Sequence, residues 1–176
     1  ELNMISAGQK VNKLMQDFFT AYFNERDYKA AAGFLREDIR WIGLGAVCSA
    51  RDRSEAVKFL QAEIAAAPYA VFFEYENVQN AMLSETAEVF LCDLLLKKNK
   101  DGYDSDISIR VMAACNCCDS VWKIAALHVS QANMGPETGD FFPAAFSMEK
   151  VAEVESRINR QMLGLLNRSI PGGILG

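Results

Sequence analysis

The sequence lacks an excess of positive charge, a long apolar run and a basic leader at its start. Its 18 Lys and Arg residues are outnumbered by 23 Asp and Glu, giving a net charge of −5 at pH 7. A nucleic-acid partner is therefore not expected, because a phosphate backbone requires a positive field. No run of about 18 apolar residues is present, so no membrane insertion is predicted. Residues 1–18 are not typical of a secretory signal.

Motifs that carry chemistry are also scarce. His128 is the only histidine, and no glycine-rich phosphate loop, nucleophile elbow or nucleotide fingerprint occurs. The five cysteines are an odd number without framework spacing, which favours a reducing compartment, so we expect a cytoplasmic protein. Three of them cluster in CNCC, residues 115–118, whereas structural zinc sites usually pair two such clusters. We predict no metal and no cofactor, with inert thiols as the default and redox sensing by Cys117 or Cys118 as the alternative.

Apolar residues spaced by three and four predict three helices in the first 70 residues. The first covers QKVNKLMQDFFTAYFNERD, and the second covers DYKAAAGFLRED with Asp27 as its N-cap. The third begins near Ser49 or Asp52 and stops at Pro68. Between the second and the third, IRWIGLG alternates in the manner of a strand that ends in glycines.

From Tyr69 onward the apolar period changes to two. Four β-like segments follow in succession: AVFFEYENVQNAML, AEVFLCDLLLKK, SDISIRVMAACNC and SVWKIAALHVSQA. The turns between them are too short for parallel crossovers, so we expect an antiparallel meander. Helices that precede a run of strands predict an α+β fold, in which the helices cover one face of a curved antiparallel sheet.

A last helix is predicted from about Met148 to Leu166. Its apolar residues recur at spacings of three and four over roughly two and a half heptads. A coiled-coil-like connecting helix and a helix packed on its own domain both remain open. We expect a domain over residues 1–140, a connecting helix over 141–167 and a further segment over 168–176.

Alternation along the strands sorts the side chains that could act in a site. In the final strand, Ile124 and His128 fall on one face with Trp122, Ala126 and Ser130. Asp93 lies among apolar residues and must be paired, hydrogen-bonded or protonated, with Arg110 as the obvious partner. An enzymatic interpretation has His128 as general acid or base and Asp93 orienting it. The alternative is a hydrogen-bonded structural histidine.

Aromatic side chains are numerous enough to line an apolar cavity, which is the usual character of a small-molecule site. Core packing accounts for most of them. Tyr22 and Trp41 stand out because each has a polar atom that needs a partner. The candidate ligand-binding residues are Tyr22, Trp41, Phe73, Tyr75, Arg110, Met112 and His128.

The order helix–helix–strand–helix–meander resembles the SnoaL-like branch of the nuclear transport factor two-like superfamily. The match rests on Trp41 and Gly43 in RWIGLG, on Glu55 to Leu60, and on the final strand pattern from Trp122 to Ser130. It covers about Gln9 to Ala132. The resemblance implies a cone-shaped half-barrel roofed by the three helices, with a pocket inside. It also implies frequent dimers and, in some members, cyclisation, isomerisation or dehydration.

The segment LLNRSIPGGIL, residues 165–175, resembles the entry to a PAS sensor domain. Such a domain often follows a connecting helix, and in bacterial proteins the pairing commonly stands upstream of GGDEF cyclic-di-GMP synthase domains. The alternative is a natural tail made flexible by glycine. These resemblances imply a non-catalytic sensory and dimerisation module that binds a small apolar or aromatic ligand. The alternatives are a SnoaL-like enzyme that uses His128, and an assembly domain without a ligand.

Overall fold

The computed structural model describes residues 7–44, 48–97, 107–131 and Ser156. The chain divides into two compact units, Glu1–Ala132 and Asn133–Gly176. The helices and strands described below belong to the first unit. In the second unit Ser156 is helical, while the rest of the predicted Met148–Leu166 helix and the 168–176 segment lie outside the described residues.

Three helices precede or interrupt the strands, close to the predicted positions. Helix α1 covers Ala7–Phe19 and continues into a π-helical turn, Thr20–Asn24, and α2 covers Tyr28–Gly33 and α3 Arg53–Ala66. The Asp27 carboxylate accepts hydrogen bonds from the backbone N–H groups of Lys29 and Ala30, which confirms it as the N-cap of α2. The N-cap of α3 is Asp52, whose carboxylate accepts from the backbone of Glu55.

Six strands form one open, curved sheet. They are β1 Leu35–Ile42, β2 Ser49–Ala50, β3 Phe72–Ser84, β4 Ala87–Lys97, β5 Ile107–Cys118 and β6 Val121–Ser130. Their order across the sheet is β2-β1-β6-β5-β4-β3. Strands β3 to β6 form the predicted antiparallel meander, so the α+β fold class is confirmed.

The first strand corrects two predictions. Residues Leu35 to Asp38, predicted to end the second helix, already belong to β1, because Leu35 and Ile39 are buried on the same face as Trp41. The sheet is also not wholly antiparallel. Strand β1 pairs with β6 in parallel, with Leu35 opposite Ile124 and Trp41 opposite Leu127. The paired residues are almost 90 positions apart in the sequence. Local periodicity cannot predict such a pairing.

A β-bulge in β6 decides which side chains face the helices. Cys115 of β5 pairs with Ile124, but Ala114 pairs with Ala126, so Ala125 is the extra residue. As a result Ile124 and Leu127 are both buried, although they are three residues apart. Strict alternation would have placed Leu127 on the opposite face.

The helices cover one face of the sheet, which we call the inner face, and the core lies between them. Its largest fully buried side chains include Met15, Phe18, Phe19, Leu35, Ile39, Leu60, Phe90, Leu94 and Ile124. On the outer face, β5 exposes 48% of Met112, and His128 of β6 is also exposed. The two faces therefore differ sharply in their access to solvent.

Candidate functional site

An apolar cavity of about 100 Å³ opens between the helices and the inner face of the sheet. Nearly all of its wall is hydrocarbon or aromatic surface. The lining residues are Phe18, Phe19, Tyr22, Phe23, Trp41, Gly43, Leu44, Cys48, Phe59, Leu96, Ile109, Leu127 and Val129. The wall is therefore formed by α1 and its π-helical turn, by α3, by strands β1, β4, β5 and β6, and by the segment between β1 and β2.

Four aromatic residues at the end of α1 and in its π-helical turn reach this cavity, because Phe18 and Tyr22, and likewise Phe19 and Phe23, are four residues apart and share one face of the helix. The backbone N–H of Glu25 donates to the carbonyl of Thr20, five residues earlier, at 2.9 Å. The turn ends the helix directly after these residues. Phe18, Phe19, Tyr22 and Phe23 are all at most 6% exposed. The Tyr22 and Phe23 rings stack at a centroid distance of 4.4 Å.

Trp41 stands at the centre of the cavity wall. Its ring meets those of Phe59 and Phe18 edge-on, at centroid distances of 5.2 and 5.9 Å. Only 3% of Trp41 is exposed, and its indole Nε1–H is buried without a hydrogen-bond partner among the described residues. Buried indole donors usually find a partner. Because the Nε1 atom itself has essentially no accessible surface, a molecule in the cavity meets the Trp41 ring and not this donor.

Tyr22 provides the polar edge of the cavity. Burial is the main cause that raises the pKa of Tyr22 far above its usual value, and the charge and hydrogen bonding of Glu63 add to it. Cys48 is close enough to contribute in the same direction. Arg26 holds this region together, since its guanidinium donates to the backbone carbonyls of Tyr22 at 3.1 Å and Ala67 at 2.7 Å. Tyr22 therefore stays a neutral phenol at physiological pH.

Cys48 is fixed in the wall by its position at the end of a strand pair. The Gly43 N–H donates to the Cys48 carbonyl at 2.6 Å, next to the Ile42–Ser49 pair that joins β1 to β2. A side chain at Gly43 would begin 3.0 Å from the Cys48 Cβ. Because a contact of 3.0 Å is tighter than nine in ten real Cβ contacts, Cys48 would have to move by a few tenths of an ångström, and Gly43 makes that shift unnecessary.

The structure brings only two of the predicted ligand-binding residues, Tyr22 and Trp41, into the cavity wall. Phe73 and Tyr75 are half-buried and pack beside it, and both rings contact Phe19, at 5.9 and 6.2 Å. Burial raises the pKa of the Tyr75 hydroxyl, which has no hydrogen-bond partner among the described residues.

The other candidates lie on the outer face of the sheet, so their placement beside Trp41 is corrected. Met112 pairs with His128 across β5 and β6, and Asp93 pairs with Arg110 across β4 and β5. For His128 the cause is the bulge at Ala125, which reverses the face that the alternation from Ile124 predicts. His128 does not line the cavity, and a proton-transfer role for it there has no geometric support.

Asp93 and Arg110 are partners, as expected, but only loosely. The Arg110 Nε lies 3.9 Å from the Asp93 Oδ1, and the Arg110 side chain is 67% exposed. A closer contact comes from Asn77, whose amide donates to the Asp93 Oδ2 at 2.7 Å. Exposed ion pairs of this kind contribute at most about 1 kcal/mol. The cluster is a solvated feature of the outer face rather than a buried acid–base pair.

Sequence patterns missed two residues of the cavity wall and one buried acid outside it. Cys48 and Phe59 belong to the cavity wall. Cys48 directly precedes β2 and Phe59 lies in α3, so no local sequence pattern connects the two. Glu88 was also missed: it is fully buried on the inner face of β4, where the Asn80 amide donates to its Oε1 and its Oε2 has no partner among the described residues. A single acid inside an alternating apolar strand is the signal that could have identified it.

The five thiols should differ widely in reactivity. Burial raises the pKa of both Cys92 and Cys115 to about 12. At pH 8 only about one molecule in ten thousand then carries either thiolate. We expect iodoacetamide to alkylate the exposed Cys118 readily and to leave these two unmodified in the folded protein, as peptide mass mapping would measure. Equal modification of Cys115 and Cys118 would contradict the burial of β5.

No group of three Asp, Glu, His or Cys side chains is placed to hold a metal ion in the part of the chain that the structure describes. Within the same ranges, no helix combines the length and the apolar character needed to cross a membrane.

Comparison with known proteins gives one family and many similar folds. The model of the SnoaL-like domain matches residues 11–134, and among curated proteins none matches the sequence. An NTF2-like protein of unknown function from Pseudomonas putida KT2440 is 12% identical, with a TM-score of 0.64 over 74% of this chain and 92% of that one. The hexachlorocyclohexane dehydrochlorinase LinA-type3 from Novosphingobium barchaimii LL02 is 17% identical. Its TM-score is 0.61, over 77% of this chain and 93% of that one. An uncharacterized protein from Caulobacter vibrioides is 17% identical. Its TM-score is 0.62, over 72% of this chain and 90% of that one.

Proposed function

This chain belongs to the SnoaL-like domain family, and from that premise we propose that its cavity binds a small apolar or aromatic molecule without transforming it. The observation that carries the proposal is the cavity wall. Among its described residues only Tyr22 and Cys48 can ionise, and the rest are aromatic, aliphatic or glycine. Apolar walls with few polar groups are typical of sites that bind small molecules.

The size of the cavity sets an upper limit of one small ring for an enclosed ligand. For comparison, an apolar cavity of about 150 Å³ can bind benzene, and the cavity here measures about 100 Å³. The edge-on aromatic arrangement around Trp41 leaves ring faces and edges to pack against a guest. A compact ring with one polar atom fits these dimensions better than an extended chain.

The proposed biological role is sensory. We place the domain in a cytoplasmic, multidomain bacterial signalling protein, upstream of a PAS-like domain and a diguanylate cyclase-type output. Support comes from the heptad-like spacing of residues 148–166 and the PAS-like residues 165–175. A ligand can transmit a signal only if it binds two arrangements of the domain with different affinity. The output of the longer protein, measured with and without ligand, tests this role.

Dimerisation belongs to the same proposal. The outer face carries Ile42 and Met112, 57% and 48% exposed, which are large apolar side chains for a solvated sheet face. In a symmetric dimer, an element near the symmetry axis meets the same element of the other copy. A signal passed through paired helices requires such an arrangement. We therefore propose a homodimer as the working form.

An enzyme is the second candidate, because one of the similar folds is a hexachlorocyclohexane dehydrochlorinase. The geometry favours binding over this alternative. His128 and Asp93 lie on the outer face, and in the cavity Tyr22 is a phenol whose raised pKa makes it a poor base at neutral pH. A reaction in the cavity would have to use Tyr22 as a proton donor or Cys48 as a nucleophile.

Ligand binding is tested by thermal unfolding with toluene, phenol and cyclohexanone as probes. At least one probe, at one hundred times its Kd, should stabilise the protein by about 2.7 kcal/mol and raise the Tm by several degrees. Val129→Phe, which adds volume at the cavity wall, should abolish the shift. Val89→Phe is the matched control, because Val89 is half-buried on the outer face of β4. An unchanged Tm with all three probes, or an undiminished shift in Val129→Phe, would refute the proposal.

A further inference from the structure

Strand β3 forms a long edge of the sheet. It is the last strand in the order across the sheet, and among the described residues it pairs with β4 alone. Every residue from 76 to 86 is exposed. In an antiparallel pair, every second residue of an edge strand directs its backbone N–H and C=O away from the neighbouring strand. The part of β3 after residue 76 therefore presents these groups to solvent.

Most of this edge lacks the features that usually protect an edge strand. Natural sheets protect their edges with short strands, lysines, prolines or bulges. The opposite edge follows this rule, because β2 has only two residues. Strand β3 has 13 residues and contains neither lysine nor proline. Its bulge at Asn77, where φ is 51°, lies before residues 79–84 and leaves them unprotected. We call residues 79–84 the open edge.

Apolar side chains accompany the exposed backbone of the open edge. Met82 is 62% exposed and Leu83 is 67% exposed, and Val78, which directly precedes the open edge, is 44% exposed. The open edge itself, QNAMLS, carries no charge. An added strand could form backbone hydrogen bonds and also cover these side chains, so both interactions would favour its binding. The backbone thus specifies an extended chain as the occupant.

Charge indicates which extended chain fits. Glu76 and Glu85 stand on either side of the open edge, and both are exposed without an ion-pair partner among the described residues. The sequence has no Lys, Arg or His between Lys58 and Lys97. If two copies paired their open edges in antiparallel fashion, Glu85 of each copy would lie diagonally beside Glu76 of the other. Because like charges across a strand pair are destabilising, a second copy is disfavoured and a basic strand is favoured.

We propose that the open edge binds, by strand addition, an extended segment of a partner protein that has an apolar centre and a basic residue near each end. Six residues at about 3.3 Å each span about 20 Å, so the segment needs about six to eight residues. The basic ends would lie near Glu76 and Glu85. This inference goes beyond the proposed function, since the open edge takes no part in the cavity wall.

The first test measures the charge requirement with the full chain and the fluorescently labelled, end-capped peptide KVTVTVTK. Fluorescence anisotropy should show binding, and the peptide EVTVTVTE should bind at least tenfold more weakly. Replacing both glutamates, Glu76→Lys with Glu85→Lys, should weaken the binding of KVTVTVTK at least tenfold. The matched control is Glu25→Lys with Glu37→Lys, because these two glutamates are exposed and lie outside β3 and β4. It should leave the affinity within about twofold.

The second test measures the backbone contact. Two versions of KVTVTVTK carry N-methyl groups, one on the odd and one on the even residues. Because alternate residues of an added strand face the edge, one version should lose binding and the other should retain it. Met82→Lys should also weaken binding, since a lysine in an edge strand discourages pairing. Met82 is largely exposed, so this variant should fold, which circular dichroism checks.

Several outcomes would overturn the proposal. They are the absence of binding by KVTVTVTK, equal binding of the lysine and glutamate peptides, and equal affinities of the two N-methylated peptides. Self-association of the protein that Met82→Lys abolishes would assign the open edge to a second copy instead. Val129→Phe separates this inference from the proposed function, because filling the cavity should abolish the Tm shift with ring compounds and leave peptide binding unchanged.

Discussion

Ile124→Asp is expected to unfold the domain, while His128→Asp leaves it folded. Ile124 is fully buried on the inner face of β6, and its backbone N–H donates to the Phe34 carbonyl at 2.9 Å. An aspartate there would be an unpaired charge in the core, which costs more than about 4 kcal/mol. Since whole domains are stable by only about 5–15 kcal/mol, most of the stability would be lost.

His128 is the matched control, because strict alternation assigns it to the same face as Ile124. The structure exposes it, as a consequence of the bulge at Ala125. A surface substitution of this kind usually changes the free energy of unfolding by no more than about 0.5 kcal/mol. Urea unfolding followed by circular dichroism measures both variants. Comparable destabilisation by the two aspartates would mean that the bulge is misplaced.

Phe18→Ala is expected to lower the free energy of unfolding by about 3–5 kcal/mol. Phe18 is fully buried, and its ring contacts those of Phe19, Tyr22 and Trp41 at centroid distances of 5.2 to 6.0 Å. Removing the ring leaves a void and deprives three neighbours of their packing partner. Chemical denaturation gives the change in stability.

Gln16→Ala on the same helix provides the reference, because Gln16 is exposed and alanine favours helix. It should be nearly neutral. A loss below about 1 kcal/mol in Phe18→Ala would show that α1 does not pack on the sheet as described. Any ligand that stabilises the native protein should also bind Phe18→Ala differently, since Phe18 lines the cavity.

The thiol and ligand experiments depend on the same sheet geometry. Cys115 is protected from alkylation because the inner-face alternation of β5 buries it. Cys48 lies in the cavity wall, directly before β2, which pairs with β1. Protection of Cys115 from iodoacetamide tests the core, and the shift of the Tm by toluene, phenol or cyclohexanone tests the site. Success of the first with failure of the second would leave the fold intact and change only the function.

Much of the fold follows from local patterns in the sequence. The change of apolar period at Tyr69 located the meander, and Asp27 marked a helix start, because capping and amphipathicity depend on residues a few positions apart. The number of aromatic residues also predicted an apolar wall, and the polar atoms of Tyr22 and Trp41 singled out these two residues, both of which line the cavity. The Leu35 to Asp38 stretch was misassigned because its strand character comes from pairing with Ile124, far along the chain.

The sequence by itself determined the α+β class, the order of the elements and the aromatic character of the interior, since propensity and periodicity act over short distances. Only the tertiary structure decided which residues meet in the site. One inserted residue, Ala125, moves His128 to the outer face, and the end of a two-residue strand pair brings Cys48 beside Trp41. Both follow from hydrogen-bond register between distant segments. That register is a property of the assembled sheet, because each strand acquires its inner and outer face only when a partner strand fixes its alignment.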